Sequence, residues 1–270
     1  MTPEVLRESQ QSMGERTREL DERLTAGVAH AQQAPLPEPT SPEEAAQLEQ
    51  RRRSLKQVAD ASPLVTEAAS AFDEALLSLE IDDARAAVPA QIKGLRALSD
   101  ARERFLDLRR MIELAYTDQQ RLQGVLEPEQ ASASSAATAA DEQQEHVLEL
   151  LPALRDAQHR NLSRAARLQE LIEDEKASLP EPGGLAGGPA EQAEAAAQAR
   201  DQLQLAEQIL LVTEASMQGV VAELGEPPAA AGAAASWRGA IVPGRQAVKG
   251  LENLRRLFFS IIEHLRDTAR

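Results

Sequence analysis

Four histidines, His30, His146, His159 and His264, are the first residues to weigh for chemistry, each on a predicted helix and mostly beside Glu, Gln or Arg. That setting reads as solvated helix surface rather than a base or a ligand. Asp156 and His159 have the carboxylate-x-x-histidine spacing that a carboxylate-bridged di-metal bundle uses twice, alongside two further inward glutamates. The second copy of that spacing is missing, and so is any His-Glu-x-x-His motif. Acidic groups such as Asp73-Glu74, Glu80 with Asp82-Asp83, and Glu173-Asp174-Glu175 lack the central Gly of a calcium loop. Adjacent helical residues also point about 100° apart, so these carboxylates do not converge for acid–base work. Gly183 to Gly188 lacks the Gly-Lys-Ser/Thr ending of a phosphate loop and reads as a hinge. No Ser lies in Gly-x-Ser-x-Gly, and no Cys is present to act as nucleophile, disulfide partner or zinc ligand. The expectation is a protein that is not an enzyme, with no catalytic, cofactor-binding or metal-binding residues and no cofactor.

Two segments offer binding chemistry. Arg51-Arg52-Arg53 is the densest basic run, but Glu43, Glu44 and Glu49 lie on neighbouring turns, where they can form exposed ion pairs. Near the C-terminus, Leu254, Leu257, Phe258, Ile261, Ile262 and Leu265 recur at three- and four-residue spacing, with Phe259 to one side. They form a dense apolar face that serves either a core or a partner, and they are the candidate partner-binding face.

The elements that carry these residues follow from composition. Of 270 residues 42% are apolar but only 2% aromatic, so a core must be built from Leu, Ile, Val and Ala. Strong helix formers dominate every segment outside a few Pro/Gly stretches, and no run of β-branched residues makes a candidate strand. The chain is read as all-α. A net charge of -15 argues against nucleic-acid partners. Nothing reaches the roughly 18 consecutive apolar residues of a membrane span, so membrane contact is not expected in this segment, though a parent chain could make one. Localisation is read as cytoplasmic by default, with a bacterial envelope or membrane-tethered setting left open.

Helix punctuation is legible. Thr2-Pro3 starts a first helix over about 3–33, with Leu6, Met13 and Leu20 every seventh residue. Pro35, Pro37 and Pro39 end it. Ser41-Pro42-Glu43-Glu44 forms a capping box opening a second helix over 42–80, with a kink or break expected at Pro63. Pro89 opens a third over 89–127, carrying Ile92, Leu95, Leu98, Phe105, Leu108 and Ile112. A flexible connector over 129–140 leads to helices over 141–178, 190–224 and 243–270, with a second kink expected at Pro152.

Sliding the chain against itself by 147 residues aligns 42–68 with 189–215 without a gap, matching eleven of 27 positions. Five are consecutive: Leu64-Val65-Thr66-Glu67-Ala68 repeats as Leu211-Val212-Thr213-Glu214-Ala215. Downstream, Lys93-Gly94-Leu95 answers Lys249-Gly250-Leu251. The pattern predicts elongated, antiparallel, coiled-coil-like bundles made by tandem duplication of a three-helix unit, the first over 1–128 and the second over 141–270. Because the last helix lacks a stop signal, the second unit is expected to be cut short, as in a fragment of a longer protein. The functional expectation is a structural or scaffolding protein acting through protein partners or self-association. The alternative is a regulatory or ligand-sensing helical region of a larger membrane-tethered protein.

Overall fold

The computed structural model describes residues 3–33, 39–127, 136–179, 190–225 and 237–268. All regular structure among them is helical: α1 (Pro3–Gln33), α2 (Pro42–Glu80), α3 (Ala84–Glu103), α4 (Leu108–Leu126), α5 (Ala136–Ser178), α6 (Ala190–Glu223) and α7 (Ile241–Thr268). A short 3-10 turn, Trp237–Ala240, leads into α7. The chain folds as two compact units, Met1–Leu106 and Asp107–Arg270.

Local chemistry sets the helix ends. Ser41 Oγ accepts the Glu44 amide at 3.2 Å, and the Glu44 carboxylate reaches back to the amide and hydroxyl of Thr40 at 2.8 and 2.6 Å. The capping box expected at Ser41 and Glu44 therefore extends one residue outward, to Thr40. The Thr40 hydroxyl, then its amide, holds the Glu44 carboxyl below its ordinary value of 4.5. A lowered folded value means that the cap's contribution is complete above pH 4.5 and is lost as pH falls through the lowered value. Amide protection at the start of α2, relative to the intrinsic exchange rate, should fall over that acid range, and Glu44→Ala should remove that fall while leaving protection in α6 unchanged.

Between α2 and α3 the chain reverses through Ile81–Asp83. Asp82 adopts a left-handed φ of 59°, while the Asp83 amide donates to Ser78 O and the Asp82 amide to Leu79 O. This pairing satisfies the last carbonyls of α2. Asp83 then caps α3, accepting from the Ala86 amide at 2.9 Å.

Several expectations need correction. The third helix, expected unbroken over 89–127, is two helices. The amides of Arg104, Phe105 and Leu106 turn back to carbonyls three residues earlier, and the Asp107 carboxylate caps α4 by accepting from the Arg110 amide at 2.8 Å. A side-chain cap, with neither Gly nor Pro, makes the break. It moves the unit boundary from 128 to Leu106, and α4 belongs to the second unit. Pro89 lies inside α3 rather than at its start. Pro63 and Pro152 lie inside continuous α2 and α5. Both are exposed, so the pyrrolidine ring projects to solvent and only one helix hydrogen bond is removed. α5 begins at Ala136, within the expected connector.

In the first unit α2 packs against both α1 and α3. Its buried stripe is Ala61, Val65, Ala68, Phe72, Ala75 and Leu79, met by Ala87, Ala90, Ala97 and Ala101 of α3. Alanine on both sides lets the backbones approach, and Gly94 extends this by seating the Phe72 ring. A Cβ built on Gly94 would lie within 2.9 Å of Phe72 Cζ. Gly94→Ala should therefore destabilise the first unit by about 1–3 kcal/mol, the usual cost of overpacking a filled core. Chemical denaturation followed by far-UV circular dichroism measures it.

In the second unit α4 packs on α5 and α7, and α6 packs on the same two helices, giving a four-helix ring. One end closes around Trp237, which meets Leu122, Leu126, Val147, Leu151, Leu154, Val220 and Leu224.

Candidate functional site

The face expected to bind a partner begins inside the second unit. Leu254 is fully buried, while Leu257 and Phe258 are half-buried. Phe259, Ile261, Ile262 and Leu265 lie outside the residues whose side chains are described. Next to Leu254, Arg255 Nε donates to Glu113 Oε1 of α4 at 2.7 Å and its guanidinium stacks over the Tyr116 ring. The Glu113 carboxylate, with a smaller contribution from Tyr116, raises the Arg255 guanidinium above its already high value, fixing its charge. The described part of this face joins α7 to α4.

The residues weighed for chemistry stay apart. His30 and His159 are exposed, and His146 and His264 fall among undescribed side chains. Arg51, Arg52 and Arg53 are exposed, with Arg52 held by Glu49 at 2.6 Å. Asp73 pairs with Arg18, and Asp82 with Arg7. Gly183 to Gly188 lies outside the described residues. Among the described residues no group of three or more His, Cys, Asp or Glu side chains converges as a metal site would require, and no helix is long and apolar enough to cross a membrane.

What the structure brings together is a chain of buried amides. Gln119 of α4 donates to Gln158 Oε1 of α5 at 3.1 Å and accepts from Asn161 Nδ2 at 3.0 Å, all three side chains being shielded from solvent. Gln158 Nε2 donates in turn to Met217 O of α6 at 3.3 Å. Arg164 extends the chain to the surface, donating to Asn161 Oδ1 at 2.9 Å and Asp118 Oδ2 at 2.7 Å. Three helices are thereby tied in one register, because a slip along any axis would orphan a buried donor. The first unit holds a smaller counterpart. Gln10 of α1 donates to Phe72 O of α2 at 3.0 Å and accepts from Gln91 of α3 at 2.9 Å. Side-chain amides do not ionise near neutral pH, and what these networks do in the fold is align helices. Their sequence signal was a polar residue inside an apolar stripe, as Gln119 sits among Ile112, Ala115, Leu122 and Leu126.

On the outside, α1 and α3 of the first unit flank an open groove of about 430 Å³ lined by Ser9, Ser12, Met13, Arg16, Thr17, Leu20 and Leu98. Large apolar side chains also stand in solvent along α2, α3 and α6, among them Leu77, Leu95, Leu205, Leu211 and Val212. Comparison with protein-family models, curated proteins and solved structures finds no match to this chain.

Proposed function

We propose that this protein is a non-catalytic scaffold built from a duplicated three-helix plan, acting through helix surfaces that bind other protein chains or further copies of itself. The observation that carries the reading is the exposed aliphatic set on α2, α3 and α6, with Leu77, Leu211 and Val212 each more than three-fifths exposed. Such residues cost nothing while a partner covers them and favour association in water.

The duplicated plan draws support from packing order. In each unit the helix carrying the repeated segment sits between its neighbours in sequence, α1–α2–α3 and α5–α6–α7. Gln10 donates to Phe72 O in the first as Gln158 donates to Met217 O in the second. Shifted by the repeat offset of 147, those two pairs fall within two residues of each other. Gly94 and Gly250, from the two Lys-Gly-Leu motifs, each seat a side chain of the repeat helix, Phe72 and Thr213. α4 has no counterpart in the first unit and completes the ring of the second.

The test is photocrosslinking in the native cell, with a photoreactive residue at Leu77, Leu95 or Leu211. Covalent adducts with protein chains from at least one position are expected. Three silent positions, together with a several-degree rise in melting temperature on adding a small metabolite, would replace the scaffold with a ligand sensor.

A further inference from the structure

The two copies of the repeated pentapeptide turn opposite faces inward. In α2, Val65 is 2% exposed and Ala68 is buried, covered by Leu24 of α1 and by Leu98 and Ala101 of α3. In α6 the identical residues face out: Val212 is 67% exposed, Leu211 is 71% exposed and Ala215 lies at the surface. There the buried residues are Ala206, Leu210, Thr213, Met217 and Val220. Their counterparts in α2, Ala59, Pro63, Thr66, Ser70 and Asp73, are exposed or only half-buried. One sequence thus encodes two faces, and α6 leaves uncovered the face that α2 buries against helices.

Between Gln202 and Ala222 that face is uncharged; toward the start of α6 the exposed Asp201 and Glu194 continue its line. Gln204, Leu205, Gln208, Leu211, Val212, Ala215, Gln218 and Ala222 run along one side of α6, and all are exposed. Leu205, Gln208, Val212 and Ala215 keep the alternating three- and four-residue spacing of a coiled-coil seam. Between Gln202 and Ala222 the only charged residues are Glu207 and Glu214, in a chain that is 27% charged. Neither is on the seam line: Glu207 pairs with Lys176 of α5 at 2.9 Å, and Glu214, at the edge of the face, accepts from Gln218 at 3.3 Å.

We infer that the outward face of α6 is the contact through which two copies of this chain associate, seam against seam. Like-charge repulsion between two chains of net charge -15 disfavours most approaches, whereas the stretch of this seam from Leu205 to Ala215 brings no charge to the interface. Leu205 and Val212, one heptad apart, place an aliphatic residue at each end of the contact, so an antiparallel pair buries Leu205 of one copy on Val212 of the other. The inference deepens the scaffold reading and rests on it, naming a second copy as partner.

Sedimentation equilibrium of the full chain tests it. The wild type should shift from monomer to dimer over about 1–300 µM, the range of modest helix-mediated association. Val212→Glu and Leu205→Glu should each weaken the dimer at least tenfold, with the melting curve unchanged at concentrations where both chains are monomeric. Leu77→Glu, on the exposed side of α2, should leave association intact. Because the chain has no Cys, Gln208→Cys should form a disulfide-linked dimer under mild oxidation, and Leu77→Cys should not. A chain monomeric throughout, or a dimer indifferent to both seam substitutions, would overturn the inference. If crosslinking then still captured other proteins, the scaffold reading would survive and only self-association would fall.

Discussion

Phe72→Ala should cost the first unit about 3–5 kcal/mol, the range for emptying a fully enclosed aromatic site. The ring has no exposed surface, it packs with Ala68, Ala97, Met13 and Leu98, and Gly94 lies against it. These neighbours are mostly small, and alanines cannot rearrange to fill a void, which places the cost near the top of the range. Phe105, the other Phe of this unit, is about half exposed, so Phe105→Ala should change stability by less than about 1 kcal/mol. The single Trp, Trp237, sits in the second unit's core and serves as its own reporter. The Phe72→Ala loss should appear in the circular dichroism transition while the Trp237 fluorescence transition keeps its midpoint.

The second large effect is expected at Gln119. Gln119→Ala removes the central amide of the buried chain and leaves both Gln158 Oε1 and Asn161 Nδ2 without that partner. Each orphaned buried group costs about 1–3 kcal/mol, so the variant should lose roughly 2–6 kcal/mol. Replacing Gln119, Gln158 and Asn161 together by Leu should cost less than the single change, since no buried amide then lacks a partner and Arg164, though it loses Asn161, keeps Asp118. The triple variant should, however, show broadened, heterogeneous side-chain signals, because the residues that fix the register of α4, α5 and α6 are gone. Urea unfolding monitored at Trp237 gives the energies.

Much of the architecture was readable from particular residues. Thr2-Pro3 and Ser41-Pro42 placed two helix starts, and the cluster Pro35, Pro37 and Pro39 placed the end of the first, because capping and a missing amide act locally. The break at Arg104 to Asp107 was not readable. Its signal is one Asp before an apolar run, and Phe105 and Leu108 on either side continue the stripe as if no turn intervened. The prolines of α2 and α5 misled for the opposite reason: a Pro on the solvent side of a long packed helix loses one hydrogen bond, which tertiary contacts outweigh. The amide network was visible only as polar residues at core spacing, a pattern that does not name its partners. Least legible was the facing of the repeat. Leu-Val-Thr-Glu-Ala is amphipathic enough to bury either side, and the decision rests on the neighbouring helices, Leu24 and Leu98 in one unit and Gly250 in the other.

The account depends on that opposite facing, and thiol labelling measures it directly in a chain with no native Cys. With Val65→Cys and Val212→Cys made separately and labelled at concentrations far below the dimer range, Cys at 212 should react at about the rate of a free thiol, and Cys at 65 at least about a hundredfold more slowly, through opening of the first unit. Equal rates at the two positions, or faster labelling at 65, would contradict the two faces assigned to the repeated helix.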